Sequence, residues 1–177
     1  MKLKVIQPII DQCVELEELN FCQTRLSQGS IDYLVKNITP KISKLCLCTN
    51  LVKDKHIEVL VGRCTNLTEL NLVATIITND SLYYIIEKLQ STLEKLSLGV
   101  RLFKGEVHFS KLFEIKAMKK LTVLNLHQVL TTDMDLKGKL ESLRRQLHNV
   151  EIVHMPSFRV KHGCSDNISN FRCYESI

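Results

Sequence analysis

The hexapeptide Leu67-Thr68-Glu69-Leu70-Asn71-Leu72 sets the pattern of this chain, because its apolar positions fall at the spacing L-x-x-L-x-L and that spacing recurs. Five further segments carry the same apolar trio, the last of them more weakly: Leu16/Leu19/Phe21, Ile42/Leu45/Leu47, Leu93/Leu96/Leu98, Leu121/Leu124/Leu126 and Leu147/Val150/Ile152. The first positions of successive trios are 26, 25, 26, 28 and 26 residues apart. A nearly fixed period in the twenties is typical of a chain built from stacked strand-and-helix repeats.

A helical pattern of apolar residues follows each of the first five trios. The patterns are Ile31/Leu34/Val35/Ile38, Ile57/Leu60/Val61/Cys64, Leu82/Ile85/Ile86/Leu89, Phe109/Leu112/Phe113 and Leu136/Leu140/Leu143/Leu147. Apolar residues three and four positions apart lie on one face of a helix. The sequence therefore predicts an α/β leucine-rich-repeat solenoid with about six parallel strands on a concave face and helices on the convex face. Strands stack ~4.8 Å apart whereas packed helices need about 8–10 Å, so we expect a horseshoe.

The ends of the predicted elements carry small polar residues. Three of these follow the first three strands and are expected to bond turn backbone that would otherwise be buried unpaired: Thr24, Asn50 and Thr75. Asn79 or Asp80 is expected to cap the third of these helices. Cys13 and Cys64 each lie three residues before the first leucine of a strand. This repeated placement indicates a structural position.

The periodic pattern divides the chain into a repeat domain over residues 1–152 and a non-repeat tail or cap over residues 153–177. Within the first part, residues 1–15 are predicted to form an N-terminal helical cap or half repeat. Pro8 fits that helix only if it lies in the first turn, because proline lacks the N–H that the helix interior needs.

Composition favours a globular protein whose partners are other proteins. The 177 residues are 45% hydrophobic and 24% charged, with a net charge of +5. Basic residues form no stripe and there is no aromatic stacking platform, so no specific nucleic acid is predicted as a partner. No apolar run approaches the length of a membrane span, so no membrane partner is predicted either.

The cysteines and histidines predict neither a metal site nor catalysis. Seven cysteines without an export signal favour reduced thiols, and the predicted location is the cytoplasm or the nucleus. Cys46 and Cys48 have the wrong spacing for a redox C-x-x-C pair and lack the second pair that a zinc site would need. The histidines fall in different repeats without a paired carboxylate, and no nucleotide or hydrolase motif is present. The sequence therefore predicts no enzyme and no cofactor.

The segment Cys64-Thr65-Asn66-Leu67-Thr68-Glu69-Leu70-Asn71-Leu72 resembles the cysteine-containing leucine-rich repeats of F-box/LRR proteins, in which a cysteine precedes the strand. The resemblance covers about residues 5–152. It implies a protein-interaction module that acts as the substrate-recognition repeat domain of an SCF-type ubiquitin ligase, whose partner is a ubiquitylation target. The F-box itself is absent from this chain, so the alternative is a non-ligase adaptor, scaffold or decoy inhibitor.

The positions between the leucines predict the binding surface, because side chains alternate across a strand. The predicted partner-binding residues of the concave face are Glu18, Asn20, Lys44, Cys46, Cys48, Glu69, Asn71, Lys95, Ser97, Asn125 and His127. One row of them, Glu18, Lys44, Glu69 and Lys95, alternates in charge. Such a row serves either as a mixed-charge docking surface or as a set of cross-strand pairs that stabilises the sheet.

Two further expectations concern the later repeats. The rows are expected to end in the sixth strand with Asn149, Glu151 and Val153, and Gly99 is expected to open a shallow gap beside Val73. The fourth repeat is two residues longer than most, which predicts a projecting loop whose partner-binding residues are Arg101 and Phe103.

Overall fold

The computed structural model describes residues 1–22, 24–49, 51–100, 109–127 and 136–155. In chain order the elements are α1 Leu3–Gln12, β1 Glu18–Asn20, α2 Gln28–Asn37, β2 Lys44–Cys46, α3 Asp54–Arg63, β3 Glu69–Thr75, α4 Asn79–Leu89, β4 Lys95–Val100, α5 Phe109–Leu112 with a following 3-10 helix Phe113–Ala117, β5 Val123–His127, α6 Leu136–Gln146 and β6 Glu151–Met155. The strands form one parallel sheet in the order β1 to β6. The predicted α/β class and parallel sheet are confirmed.

The leucines of the repeated trios meet across the sheet and form its buried side. Leu45, Leu70, Leu96 and Leu124 are partners in successive strands, and each is at most 1% exposed. Residues from the predicted apolar helix faces belong to the same core: Ile31, Leu34, Ile57, Leu60, Ile85 and Leu143. Each such side chain contributes roughly 1.5–3 kcal/mol on burial. The core therefore joins the sheet to its helices and holds consecutive repeats together.

Two threonines close turns as the sequence predicts. Thr24 Oγ1 donates to the Phe21 carbonyl at 2.7 Å, and Thr75 Oγ1 donates to the Leu72 carbonyl at 2.6 Å. Thr75 is buried, so its hydroxyl satisfies a carbonyl that water does not reach. Asn50, the third residue predicted to act in this way, lies outside the described ranges.

The N-cap of helix α4 lies one residue before the first predicted cap position. Thr78 is the N-cap, and its hydroxyl accepts a hydrogen bond from the Asp80 N–H at 3.3 Å. The prediction that Asn79 or Asp80 caps this helix is wrong, because both already lie within its first turn. Helix α2 is capped in the same manner by Ser27, whose hydroxyl accepts from the Ser30 N–H.

Cys13 and Cys64 occupy equivalent places at the C-caps of α1 and α3. Each donates its backbone N–H to the carbonyl four residues earlier, that of Ile9 and Leu60 respectively. Ile38 takes the same place after α2, so the position accepts more than one residue type. Burial raises the pKa of the Cys64 thiol to about 11, which keeps it protonated at neutral pH. The structural role predicted for both cysteines agrees with this geometry.

Helix α1 carries one buried and one exposed apolar face. Ile6 and Ile10 are buried, whereas Val5 and Ile9 are 53% and 36% exposed. Pro8 lies inside the helix, beyond the first turn to which the sequence would confine it. The helix persists although this residue lacks an N–H, because the buried side packs against α2.

The last strand is displaced by two residues from the prediction. Glu151 is the partner of Val123, and Ile152 is the partner of Leu124. The fifth repeat is therefore 28 residues long, like the fourth, instead of the expected 26. The predicted sixth trio, Leu147/Val150/Ile152, is therefore wrong by two residues. The predicted last members of the three rows, Asn149, Glu151 and Val153, are wrong by the same two residues.

Some predictions concern the chain beyond the described ranges. The predicted tail starts at residue 153, but β6 continues through Met155, and residues 156–177 lie outside the described part. The predicted loop residues Arg101 and Phe103 also lie outside it. Among the helices that are described, none has the length and apolar character required to cross a lipid bilayer.

Candidate functional site

The side of the sheet opposite the leucines is the polar face. Strand pairing aligns its first row as Glu18, Lys44, Glu69 and Lys95, and its second row as Asn20, Cys46, Asn71, Ser97 and Asn125. These two predicted rows are therefore present, the first from β1 to β4 and the second from β1 to β5. A small apolar group of Cys46, Cys48 and Val73 is separate from the main core, which shows that the sheet has two distinct sides.

The first row forms a charged ladder, defined as Glu18, Lys44, Glu69 and Lys95. Lys44 Nζ lies 2.6 Å from Glu18 Oε1, and Lys95 Nζ lies 3.2 Å from Glu69 Oε1. The hydrogen bond to Glu18 raises the pKa of Lys44, and the charges of Glu18 and Glu69 add to this effect. Cross-strand pairs of opposite charge contribute roughly 0.2–1 kcal/mol each. The predicted stabilising role of the ladder thus has its geometry in place.

Glu69 is the least exposed member of the ladder. Its side chain is 10% exposed, compared with 42% for Lys95. Oε1 receives the Lys95 ammonium, whereas Oε2 is buried and has no hydrogen-bond partner among the described residues. A buried carboxylate oxygen without a donor costs about 1–3 kcal/mol or more. The ladder therefore contains one acceptor whose hydrogen bond is not made within the described chain.

Asparagines of the second row make hydrogen bonds within the sheet, two to the backbone that follows them and one to the neighbouring strand. Asn20 Oδ1 accepts from the Cys22 N–H at 2.8 Å, and Asn71 Oδ1 accepts from the Val73 N–H at 3.0 Å. Asn125 Nδ2 donates to Ser97 Oγ at 3.0 Å. These contacts hold the strand ends in place, because each satisfies a polar group on the sheet. They give these residues a structural role that is independent of any partner.

The predicted partner-binding residues differ widely in exposure. Those that are buried are Cys46, Cys48, Glu69, Asn71, Ser97 and His127. Those that are partly or fully exposed are Glu18, Asn20, Lys44, Lys95 and Asn125. Parallel strands stand only ~4.8 Å apart, so neighbouring side chains on one face cover each other. The surface that a partner can reach directly is therefore formed by these five residues.

Gly99 leaves no gap on the polar face. A β-carbon at Gly99 would lie 2.7 Å from Val73 Cγ1 and 2.9 Å from Val73 Cα, so Val73 already occupies the space. The adjacent Ala74 has a φ of 64°, in the left-handed region, and the pairing of β3 with β4 shifts register there. The predicted opening is wrong, because this irregularity brings β3 close to Gly99.

Three cysteines meet at the ends of β1 and β2. Cys22 Sγ lies 2.6 Å from Cys46 Sγ, which lies 3.1 Å from Cys48 Sγ. Among the described residues this is the group whose side chains are placed to hold a metal ion. The prediction of no metal site rests on the spacing of Cys46 and Cys48 and leaves out Cys22. The missing signal is the repeat period, which sets Cys22 beside them.

Comparisons with known proteins concern the fold. No family model and no curated protein sequence matches the chain. Among solved structures, it is similar to leiomodin-1 actin-binding site 2, with a TM-score of 0.57 and 17% identity over 82% of this chain and 87% of that one. It is also similar to the tropomodulin C-terminal domain of Caenorhabditis elegans, with a TM-score of 0.56 and 14% identity over 81% and 92%.

These similarities correct the predicted family. The resemblance to F-box/LRR proteins is wrong, because the two similar structures are leiomodin and tropomodulin domains and no family model supports the F-box group. The misleading signal was the cysteine before the strand. In this chain that cysteine is the C-cap of a helix, and the equivalent C-cap of α2 is Ile38. The cysteine therefore indicates the geometry of the repeat and does not indicate a ubiquitin ligase. At these identities the similarity establishes the leucine-rich-repeat-like fold alone.

Proposed function

We propose that this chain is a non-enzymatic protein-interaction module whose polar face receives a partner on the charged ladder. The observation that carries the proposal is the buried Glu69 Oε2, which has no donor among the described residues. A lysine, arginine or amide of a partner would supply that donor once the side chains that cover Oε2 shift, and the adjacent Lys95 side chain is 42% exposed and therefore the one most free to move. Hydrogen bonds to charged groups contribute about 1.5–3 kcal/mol, so one contact of this kind would be a considerable part of an interface.

The charges on either side of Glu69 define what the partner presents. Lys44 and Lys95 are partly exposed, and each keeps an ion pair within the ladder. A partner segment of alternating charge, with a base opposite Glu69 and acids opposite the two lysines, would match this pattern. Complementary charge chiefly sets specificity and association rate, so we expect binding that weakens as salt is added.

The overall shape belongs to the same proposal. Strands spaced ~4.8 Å apart, joined to helices that need about 8–10 Å, favour a solenoid curved into a horseshoe with the polar face on its concave side. A concave polar face would wrap a partner surface and would increase contact with the ladder. Scattering from the chain in solution measures this curvature directly.

Actin is the first candidate partner. The similar leiomodin-1 structure bears the description of an actin-binding site, and the shared fold makes the same class of partner reasonable to test here. In this proposal the chain acts as an adaptor, scaffold or decoy inhibitor, with the cytoplasm or nucleus as its place of action.

Binding of the purified chain to actin monomers and to actin filaments tests this function. The decisive variant is Glu69→Gln, which replaces the carboxylate by a neutral side chain of similar shape. The matched control is Glu114→Gln, since Glu114 is exposed and lies in the 3-10 helix after α5. We expect Glu69→Gln to weaken binding by roughly tenfold or more, and Glu114→Gln to leave it unchanged.

Two results would contradict the proposal in different ways. Absence of binding to both forms of actin would rule out actin as the partner. Equal affinity of wild type and Glu69→Gln, with both folded by circular dichroism, would remove Glu69 from the interface.

A further inference from the structure

The cysteine cluster, defined as Cys22, Cys46 and Cys48, is produced by the repeat and lies at the start of the polar face. Cys46 is the partner of Asn20 across β1 and β2, and Cys22 follows two residues after Asn20. Cys46 and Cys48 are two residues apart, so both side chains project from the same face. One repeat further along, the equivalent places hold Asn71 and Val73. The three sulfurs therefore converge at this one place in the sheet.

The three sulfur atoms are close enough to share one ion. All lie within 4.8 Å of one another. Sulfurs bound to one ion at about 2.3 Å cannot lie further apart than ~4.6 Å, and a symmetric arrangement sets them about 4 Å apart. The present separations of 2.6 and 3.1 Å need only a modest widening.

The burial of the three side chains allows that widening. Cys46 is fully buried and Cys48 is 9% exposed, whereas Cys22 lies in a turn and is half-buried. An outward displacement of the Cys22 side chain would widen its separation from Cys46, and a rotation of the Cys48 side chain, which lies beyond the end of β2, would widen the separation of Cys46 and Cys48. The site therefore has one sulfur held in β2 and two adjustable sulfurs beside it.

We propose that Cys22, Cys46 and Cys48 form a three-thiolate site for one Cu(I) ion, independently of the partner-binding role. Soft thiolate ligands select Cu(I), zinc and iron–sulfur clusters, and Cu(I) is the ion that accepts three sulfur donors without a fourth ligand. Asn71 Oδ1 lies 3.4 Å from Cys48 Sγ, and an amide oxygen is a hard donor that a soft ion disfavours.

Binding at this site is ligand exchange without oxidation. The S–H bonds of the three cysteines break, three protons pass to solvent, and three Cu–S bonds form, so copper remains monovalent and sulfur remains thiolate. The affinity therefore rises with pH, because deprotonation accompanies binding. Without metal, the cluster packs with Val73 and Ala74 as small apolar side chains.

An anaerobic titration of the reduced chain with Cu(I), in competition with a chromophoric Cu(I) chelator, tests the proposal. The variants are Cys22→Ser and Cys48→Ser, and Cys13→Ser is the matched control because Cys13 is exposed and is not a member of the cluster. We expect wild type and Cys13→Ser each to retain one Cu(I) ion per chain in the presence of the chelator. Each cluster variant should bind at least about 100-fold more weakly, since losing a ligand exceeds the cost of losing an outer-shell partner.

Two additional readouts keep the result unambiguous. Circular dichroism verifies that each variant is folded, and mass spectrometry after alkylation shows whether bound copper protects the three cluster thiols while Cys13 remains reactive. Three results would overturn the three-thiolate assignment. Wild type could fail to retain copper, or Cys22→Ser and Cys48→Ser could retain as much copper as wild type. The third is that wild type binds zinc and does not bind Cu(I). Formation of a Cys22–Cys46 disulfide in place of metal uptake would do the same.

Discussion

At the scale of single residues, Gly99 is the glycine of the described chain with the least room for a side chain. A β-carbon there would approach the Val73 backbone at 2.9 Å and the Ala74 nitrogen at 3.1 Å. Backbone atoms of a paired strand cannot move aside cheaply, so we expect Gly99→Ala to lower the free energy of unfolding by about 1–3 kcal/mol. Chemical denaturation measures the change, provided that the free energy of unfolding depends on denaturant concentration with the same slope in both proteins.

Gly62 provides the control for this substitution. It lies in the exposed part of α3, and a β-carbon there would meet no atom within 4 Å. Gly62→Ala should therefore raise the free energy of unfolding by roughly 0.5–1 kcal/mol, because alanine favours the helix. A Gly99→Ala protein as stable as wild type would show that β3 and β4 are further apart than described.

Residue roles were predictable where the repeat itself dictates them. Thr24 and Thr75 were recognised because the same small polar residue recurs at one place in the period. Glu69 was placed in the correct row, but its burial and its unpartnered oxygen depend on side chains of adjacent strands. The self-bonding of Asn71 was equally hidden, because an asparagine in a row fits a partner contact and a local contact alike.

At the scale of elements, Asp54 connects the starts of α3 and α4. Its Oδ1 accepts from the Thr78 N–H at 2.7 Å and from the Ser81 hydroxyl, and its Oδ2 accepts from the Thr78 hydroxyl at 3.0 Å. Removing this charged acceptor leaves the cap of α4 without its partner. We expect Asp54→Ala to cost about 2–3 kcal/mol in the free energy of unfolding, measured by thermal or chemical denaturation.

Asp80→Ala is the comparison for Asp54→Ala. Asp80 is an exposed carboxylate in the first turn of α4, where it interacts with the helix dipole and contributes at most ~1 kcal/mol. A loss for Asp54→Ala no larger than that for Asp80→Ala would mean that the helices are held together by apolar packing alone.

The elements themselves could be predicted because apolar residues at helical and strand spacing define each of them. The register of β6 could not, because Leu147, Val150 and Ile152 also present an apolar trio at the right spacing. Pairing decides between the two registers, and it places Ile152 beside Leu124. A periodic pattern thus predicts which elements exist more securely than where the last of them begins.

At the scale of the whole molecule, one repeat period explains both the core and the polar face. Strands related by the period place leucines on one side, and the same stacking sets the charged ladder and the cysteine cluster on the other. The parallel sheet could therefore be predicted from sequence. The family could not, because proteins of different function share strand-and-helix repeats and differ in the residues that the repeat leaves unconstrained.

The charged ladder permits a variant that inverts its pattern while conserving its internal pairs. Glu18→Lys, Lys44→Glu, Glu69→Lys and Lys95→Glu together leave net charge unchanged and keep every neighbour opposite in sign. A matched control exchanges the charges of two pairs outside the sheet: Glu87→Lys with Lys88→Glu, and Lys111→Glu with Glu114→Lys. Both proteins carry four substitutions, so a difference between them reports the location of the charges.

Quantitative affinity purification of wild type, ladder-inverted and control proteins from cells tests whether the polar face is the docking surface. We expect wild type and control to recover the same partner, actin first among the candidates. We expect the ladder-inverted protein, folded by circular dichroism, to recover at least roughly tenfold less of it. Equal recovery by all three proteins would contradict the claim that the polar face is the docking surface.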